Sequence, residues 1–299
     1  MNILITGGSG FLGNQIAKLL SKKNNIFIYD IKKNYKEDKI KFIKGNILEK
    51  KLKKIITKFK INVLLHFAAT LGVKNTENNP HKVLDINIKG TFNVLNSVKN
   101  SNVKKIIFAS SSEVYGDRYK IDVTEDLLPS PKSLYAHSKI VGEELIKAYC
   151  KLYKIKINII RFFNVCGISQ RDDFVITRFA KQIKENKQVT IYGDGSQIRS
   201  FCHVKDASEA VKKLLNSKVS NEVFNIGNNN YPIKIIELAK KMIKKSNKKI
   251  KIKKINFNKS DRSAKREIYF RIPNISKAKK LLNFNPKVSL NKIIDEVFS

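Results

Sequence analysis

Tyr135 and Lys139, four residues apart in YAHSK, fall in a stretch that predicts a helix, so they project from one face about one turn from each other. A lysine ammonium in that position lowers the pKa of a phenol, and the phenolate can then take a proton from a substrate hydroxyl. Alone, such a pair is an ordinary feature of a helix surface. A second motif gives it a setting. In TGGSGFLG, Gly7, Gly10 and Gly13 follow the apolar run ILIT and open the next helical stretch. The first glycine permits a tight turn, the second lets backbone approach a pyrophosphate, and the third allows close helix packing. The phosphates then meet unpaired N–H groups at the helix start. Asp30 ends the second apolar run, where a carboxylate accepts hydrogen bonds from the adenosine ribose and repels a 2′-phosphate. NAD is therefore expected over NADP, with the Lys32-Lys33 pair as the opposing feature and a plain turn as the alternative role for Asp30.

Residues of this kind need a scaffold. Short apolar runs (ILIT, IFIYD, KFIKG, VLLHFAA, KIIFASS, INIIRFF) alternate with helix-length amphipathic stretches. This βα rhythm predicts an α/β fold with a Rossmann-type, doubly wound parallel sheet, helices on both faces and ligands at the carboxyl ends of the strands. After Asn164 the rhythm loosens. Helices are expected from Phe174 to Asn186, from Asp206, from about Pro232 and at the C-terminus, with VTIYG and VFNIG as strands and a loop at 258–265. The expected division is a Rossmann domain over 1–164 and a smaller α/β substrate-binding domain over 165–299 that returns strands to the first sheet, with the substrate cleft between them.

The 299 residues suffice for a large core, and no apolar run approaches the roughly 18 residues a membrane span requires. The start, MNILITGG, lacks the layout of a signal peptide. Cys150, Cys166 and Cys202 form no CxxC pair, and the four histidines have no ligand spacing, so neither a disulfide framework nor a metal site is expected. A reducing cytoplasm is the simplest setting. The formal charge of +35 raises nucleic-acid binding as a possibility, yet only eight of the 60 basic residues are arginine and the lysines are spread over every amphipathic segment. A solvated surface is the expectation. In the densest run, Lys240 to Lys254, a helical first half and an alternating second half place the charges on outward faces.

GGSGFLG, HFAA, SSSEVYG, YAHSK, RFFNV, YGDGSQIRSF and PNISKAKKLLNFNPKVSL occur in the order shown by the NAD-dependent nucleotide-sugar epimerase/dehydratase family of extended short-chain dehydrogenases/reductases, which the chain resembles over nearly its whole length. The resemblance implies cofactor contacts at Gly7, Gly10, Phe11, Leu12, Gly13, Asp30, Asn46, Ile47, Phe67, Ala68 and Ala69, and also at Tyr135 and Lys139. It implies Ser111 as the hydroxyl that orients the substrate and relays the proton. Substrate contacts are implied at Ser111 and Ser112, at Asn164, at Arg199 for a phosphate, and at Arg266 or Arg262 for the second phosphate. Leu71-Gly72-Val73 is placed beside the sugar. A homodimer built on helices around Pro80 to Asn100 and Leu134 to Tyr153 is also implied.

Under this resemblance the leading expectation is oxidation of a sugar 4-hydroxyl, in a UDP-sugar above others, to a transient 4-keto intermediate that is re-reduced to the epimer. Glu113 supports an alternative. Many 4-epimerases of the family have a small or hydroxyl residue there, whereas dehydratases and decarboxylases tend to have Glu, which also occurs in some epimerases. A carboxylate at that point acts as a base beside the 4-keto sugar or assists loss of a neighbouring carboxylate, as on UDP-glucuronate. The bland role for Glu113 is a hydrogen bond within its loop. Ser112 stands where thymidine-linked 4,6-dehydratases carry an acidic Asp. Cys166 replaces the family's Tyr as a packing change. A non-catalytic NAD-binding protein is the reading from a different class, and retention of Ser111, Tyr135 and Lys139 together opposes it.

Overall fold

The NILIT run is buried along four of its five residues, as a strand covered by helices on both faces must be. It forms β1 (Asn2–Thr6) at the centre of the fold in the computed structural model, which describes residues 1–35, 38–72, 76, 78–118, 121–257 and 266–299. There follow α1 (Phe11–Leu20), β2 (Asn25–Asp30), β3 (Ile40–Lys44), α2 (Leu52–Lys58), β4 (Val63–His66) and α3 (Pro80–Val83). A π-helical turn (Leu84–Lys89) leads into α4 (Gly90–Val98), then β5 (Lys105–Ser111), a 3-10 turn (Ser112–Tyr115), α5 (Leu134–Leu152) and β6 (Lys156–Phe162).

Beyond these lie β7 (Val165–Cys166), α6 (Val175–Lys184), β8 (Val189–Tyr192), β9 (Ile198–Arg199), β10 (Cys202–His203), α7 (Val204–Asn216) and β11 (Glu222–Ile226). The chain continues through β12 (Ile233–Lys234), α8 (Ile235–Lys245), β13 (Ile252–Ile255), β14 (Phe270–Arg271), α9 (Ser276–Leu282) and α10 (Leu290–Phe298).

Seven strands make one sheet in the order β11-β6-β5-β4-β1-β2-β3, and every pairing in it is parallel. The expected doubly wound sheet is therefore formed, with its order reversing beside β1, where ligands bind in such sheets. Two apolar layers cover it. Ile16, Ala17 and Leu20 of α1 join Ala207, Val211 and Leu214 of α7 on one face. Leu52 and Ile56 of α2, Val94 and Val98 of α4 and Ile146 of α5 cover the other. A third cluster joins α6, α8 and α10 around Phe179, Leu238, Met242 and Ile293. The lysine-dense run divides as its pattern predicts, into α8 and then β13, which pairs in parallel with β8. The helix expected from Asp206 begins two residues earlier because the His203 ring accepts from Lys205 N at 3.2 Å and caps it. The expected loop at 258–265, Arg262 and Val73 all lie outside the described residues. Among the described residues, no helix is long and apolar enough to cross a membrane, and no three His, Cys, Asp or Glu side chains gather to hold a metal ion.

His66 ends β4 beneath the ligand crevice, 1% exposed. Thr91 Oγ1 donates to Asn87 O at 2.7 Å, so it accepts from His66 Nε2 at 3.0 Å, and Nδ1 accepts from Thr6 Oγ1 at 2.7 Å. Burial, aided by the charge of Lys139, pushes the imidazole from 6.5 down to about 3. Because the unfolded chain takes this proton first, the folded state is fully favoured above pH 6.5 and loses stability as pH falls towards about 3. Urea midpoints measured across that window should fall more steeply for the wild type than for His66→Gln, and equal slopes would show that His66 contributes nothing to acid sensitivity.

Candidate active site

The site is built where β1, β4 and β5 end. Gly7 takes a left-handed φ of +71°, and a Cβ on it would lie 2.6 Å from Ala68 N, so loop and neighbouring strand end meet backbone to backbone. A Cβ on Gly13 would lie 2.6 Å from Gly7 O and 2.8 Å from Gly8 Cα, which explains why α1 can start so close under the loop. Gly10 precedes α1 with no side-chain cap, and a Cβ there would meet only Gly7 O, at 3.2 Å. The first-turn amides are thus left for an anion. Ser9 Oγ and Asn14 Oδ1 beside them are buried without a hydrogen-bond partner. This donor-rich cradle fits a dinucleotide pyrophosphate.

Asp30 ends β2 and accepts from Ser9 N at 2.9 Å and Ile31 N at 2.7 Å, one amide on each oxygen. Each oxygen keeps a lone pair for a ribose hydroxyl. Asn46 Oδ1 accepts from Leu48 N at 3.1 Å and shapes the turn after β3. Ile47 is 5% exposed and directs its side chain into the core against Gly90, so only its backbone remains for a cofactor. Phe11 and Leu12 are half-buried in the first turn of α1, and Phe67, Ala68 and Ala69 are half-buried in the chain leaving β4.

Ser133 caps α5 by accepting from Ala136 N at 3.1 Å, which fixes Tyr135 in the first helical turn and Lys139 one turn later. Ser111, at the end of β5, stands beside Tyr135 and helps to lower its pKa, so the structure brings the three together. Ser111 Oγ also accepts from Glu113 N at 3.2 Å. Ser112 is 2% exposed, with its hydroxyl buried and lacking a protein partner. Lys139 Nζ donates to Ala109 O at 2.8 Å and lies 5.8 Å from the centre of the Tyr135 ring.

Among the protein's own groups, burial first and the Glu113 charge second push the Tyr135 phenol up, while Ser111 and Arg271 pull it down; the positive nicotinamide ring of bound NAD would add to the lowering. The lysine is directed at a carbonyl rather than the phenol, and burial lowers its own pKa to about 8 with Glu143 opposing.

Two further residues take part that the sequence did not single out. Arg271 Nη1 lies 3.7 Å from Glu113 Oε1, and its Nε is buried without a hydrogen-bond partner. It sits on β14, in register with Arg199 on β9. Asn87, in the π-helical turn, accepts from Thr70 N at 2.8 Å and donates to Thr70 O at 3.1 Å and Ser138 Oγ at 3.0 Å. It clamps the chain leaving β4 to α5, and a π turn is where such a departure is often found.

The expected phosphate contacts are placed less simply. Arg199 is engaged by Glu267 at 2.9 Å and by the carbonyls of Ile198 and Tyr269. Arg266 is exposed, one residue before Glu267. Asn164, in a left-handed conformation at φ 39°, donates to Ser200 O at 2.9 Å and keeps its side-chain oxygen for another partner. Cys166 is 3% exposed and hydrogen-bonded to Cys202 O, in keeping with a packing role.

The NAD dependent epimerase/dehydratase family matches residues 3–227. The chain is 33% identical to the UDP-glucuronate 4-epimerase of Thermodesulfobacterium geofontis, covering 97% of this chain and 92% of that protein. It is likewise 33% identical to a UDP-N-acetyl-alpha-D-glucosaminuronate decarboxylase of Bacillus cytotoxicus, covering 98% and 95%. Its fold superposes on the Bacillus cereus UDP-glucuronic acid 4-epimerase, solved with UDP-glucuronic acid and NAD, with a TM-score of 0.91 at 31% identity, over 100% of this chain and 98% of that one. With the glycine cradle, the Tyr135–Lys139 helix and Ser111 all in place, the chain belongs to the NAD-dependent epimerase/dehydratase family.

Proposed function

We propose that this protein is an NAD-dependent nucleotide-sugar 4-epimerase whose substrate is a UDP-linked uronic acid. The observation that carries the reading is Tyr135, beside Ser111 and one helical turn from Lys139, at the strand ends that hold the glycine cradle. Ser111 holds the sugar 4-hydroxyl and Tyr135 takes its proton. Bound NAD supplies the hydride acceptor for C4 and later the donor. The 4-keto sugar then turns over in the cleft, Tyr135 returns the proton to O4, and the epimer leaves with its mass unchanged. Relatives named for UDP-glucuronate support the uronate, and Arg271, partly exposed and 3.7 Å from Glu113, is the cation proposed to meet its carboxylate.

A second reading rests on the Glu113–Arg271 pair. Oxidation at C4 of a uronate creates a β-keto acid, which loses carbon dioxide when the C5–C6 bond breaks and its electron pair passes to the C4 carbonyl. Protonation at C5 and return of hydride to C4 complete that reaction. Glu113 and Arg271 stand beside Tyr135, where they would govern whether the carboxylate is held or lost. The decarboxylase relative supports this reading.

In the same proposal, residues 165–299 bind the substrate, with Asn164, Arg199 and Arg266 meeting the diphosphate. The working form is a cytoplasmic homodimer. Its interface is formed by the helix faces that expose Leu84, Phe92, Val141 and Leu152. Incubation of the protein and NAD with uridine-, guanosine- and thymidine-linked sugars, followed by mass-resolved product analysis, decides the reaction. An isomer of UDP-glucuronate with unchanged mass is expected. Loss of carbon dioxide would establish the second reading, and loss of water from a hexose would reject both.

A further inference from the structure

Helix α5 meets the end of β5 through side chains at successive turns of one face. Tyr135 stands beside Ser111, Lys139 donates to Ala109 O, and Glu143 accepts from Ser110 Oγ. Positions 135, 139 and 143 thus each engage one of three consecutive strand residues. Glu143 plays no part in the mechanism above, yet it is 2% exposed, a burial that a carboxylate tolerates only when paired.

Its partner is Arg161 on β6, whose Nη2 lies 2.7 Å from Oε2 and whose Nε lies 3.0 Å from Oε1. This is the two-pronged arrangement that fixes geometry as well as charge. Arg161 and Ser110 are register partners on adjacent parallel strands, so their side chains stand on one face of the sheet and converge on a single carboxylate. Arg161 Nη1 also donates to Tyr115 OH at 2.9 Å, and that hydroxyl donates to Asn225 Oδ1 at 2.8 Å, which ties the cluster to β11. Gly142 lets the helix approach, since a Cβ there would lie 2.7 Å from the Phe108 ring.

The titratable and charged groups around Lys139 are Tyr135 and Glu143 on its own helix, His66 on β4, Arg161 on β6 and Glu113 in the 3-10 turn. Of the two carboxylates, Glu113 is engaged by Arg271 and Ser133, and the Glu143 charge is the one that opposes the lowering of Lys139.

We propose that Glu143 is a positioning residue for the reaction: gripped by Arg161 and Ser110, it sets the Tyr135–Lys139 face against Ser111 and supplies the negative charge opposite the Lys139 ammonium. The inference rests on the reading of Tyr135 and Lys139 given above. Burial drives Lys139 down to about 8 while Glu143 resists, so removing the carboxylate drives the lysine lower still.

The test is the pH profile of kcat/KM, measured beside Tyr135→Phe as a control. Glu143→Gln alone would leave Arg161 buried without a counter-charge, so the variant is Glu143→Gln with Arg161→Gln, its fold checked by circular dichroism and melting temperature. Against Arg161→Gln, which lacks the same cation but keeps the carboxylate, the alkaline limb that reports loss of the Lys139 proton should lie about one unit lower while KM near neutrality is kept. A limb that stays in place in a folded variant overturns the proposal and leaves Glu143 a structural ion pair. Should the double variant not fold, Arg161→Lys retains the charge without the two-pronged grip and reads position alone. Its kcat should fall about tenfold, and an unchanged kcat overturns the positioning role. Wild-type turnover in Tyr135→Phe would instead reject the underlying site, whatever Glu143 does.

Discussion

Tyr135→Phe should lower turnover of UDP-glucuronate by about 1,000-fold while leaving NAD affinity within about twofold of wild type. The ring fills the same space in the first turn of α5, and neither the Ser133 cap nor the Lys139 contact with Ala109 depends on the phenol. What disappears is the hydroxyl, beside Ser111, that is proposed to carry the proton. Calorimetric NAD binding and a single-turnover assay separate the two quantities. Loss of both together would show that the hydroxyl supports the fold, and retained turnover would move the chemistry to another group.

Arg271→Gln, introduced into the Tyr135→Phe protein so that only binding is read, should weaken UDP-glucuronate by about 100-fold and UDP-glucose by less than about threefold. The difference follows from charge. Arg271 presents a buried, unpartnered Nε and faces Glu113 at 3.7 Å, so a substrate carboxylate gains there a cation that an uncharged hexose does not require. Equal weakening of the two sugars would restrict Arg271 to its contact with Glu113 and remove the structural support for a uronate. In the otherwise wild-type enzyme the same change strips from Tyr135 one of the two influences that lower its pKa. The acid limb of kcat/KM should accordingly move to higher pH.

Much of the site was legible in the sequence because its parts are local. Gly7, Gly10 and Gly13 lie within one loop and helix start, and each glycine answers a steric demand within a few residues or against the next strand end. Tyr135 and Lys139 share a helix face, and the Ser133 cap that sets their place is two residues upstream of the tyrosine. The parallel sheet was equally readable, since β1, β4 and β5 are short apolar runs separated by helix-length stretches.

The remainder depended on residues far apart in the chain. Arg271 reaches Glu113 because the strap that carries it crosses the first half of the molecule, where Asp117 Oδ1 accepts from Tyr269 N and Phe270 N and Lys132 donates to Glu267 O. Glu267 in turn engages Arg199, 68 residues away, so an arginine expected to be ready for a phosphate already holds a carboxylate. Asn87 gave no signal because it lies in an unremarkable amphipathic stretch, and the π turn that aims it is not a sequence period.

The sequence by itself determined the sheet, the dinucleotide cradle and the Tyr135–Lys139 pair, because backbone sterics and helical periodicity act over a handful of residues. Only the tertiary structure decided which charges surround the phenol and the lysine. Arg271 lowers and Glu113 raises the Tyr135 proton affinity, and the Glu143 charge acts on Lys139 while Arg161 grips that carboxylate from the next strand. Electrostatic influence follows distance and burial in space, which a linear pattern does not contain.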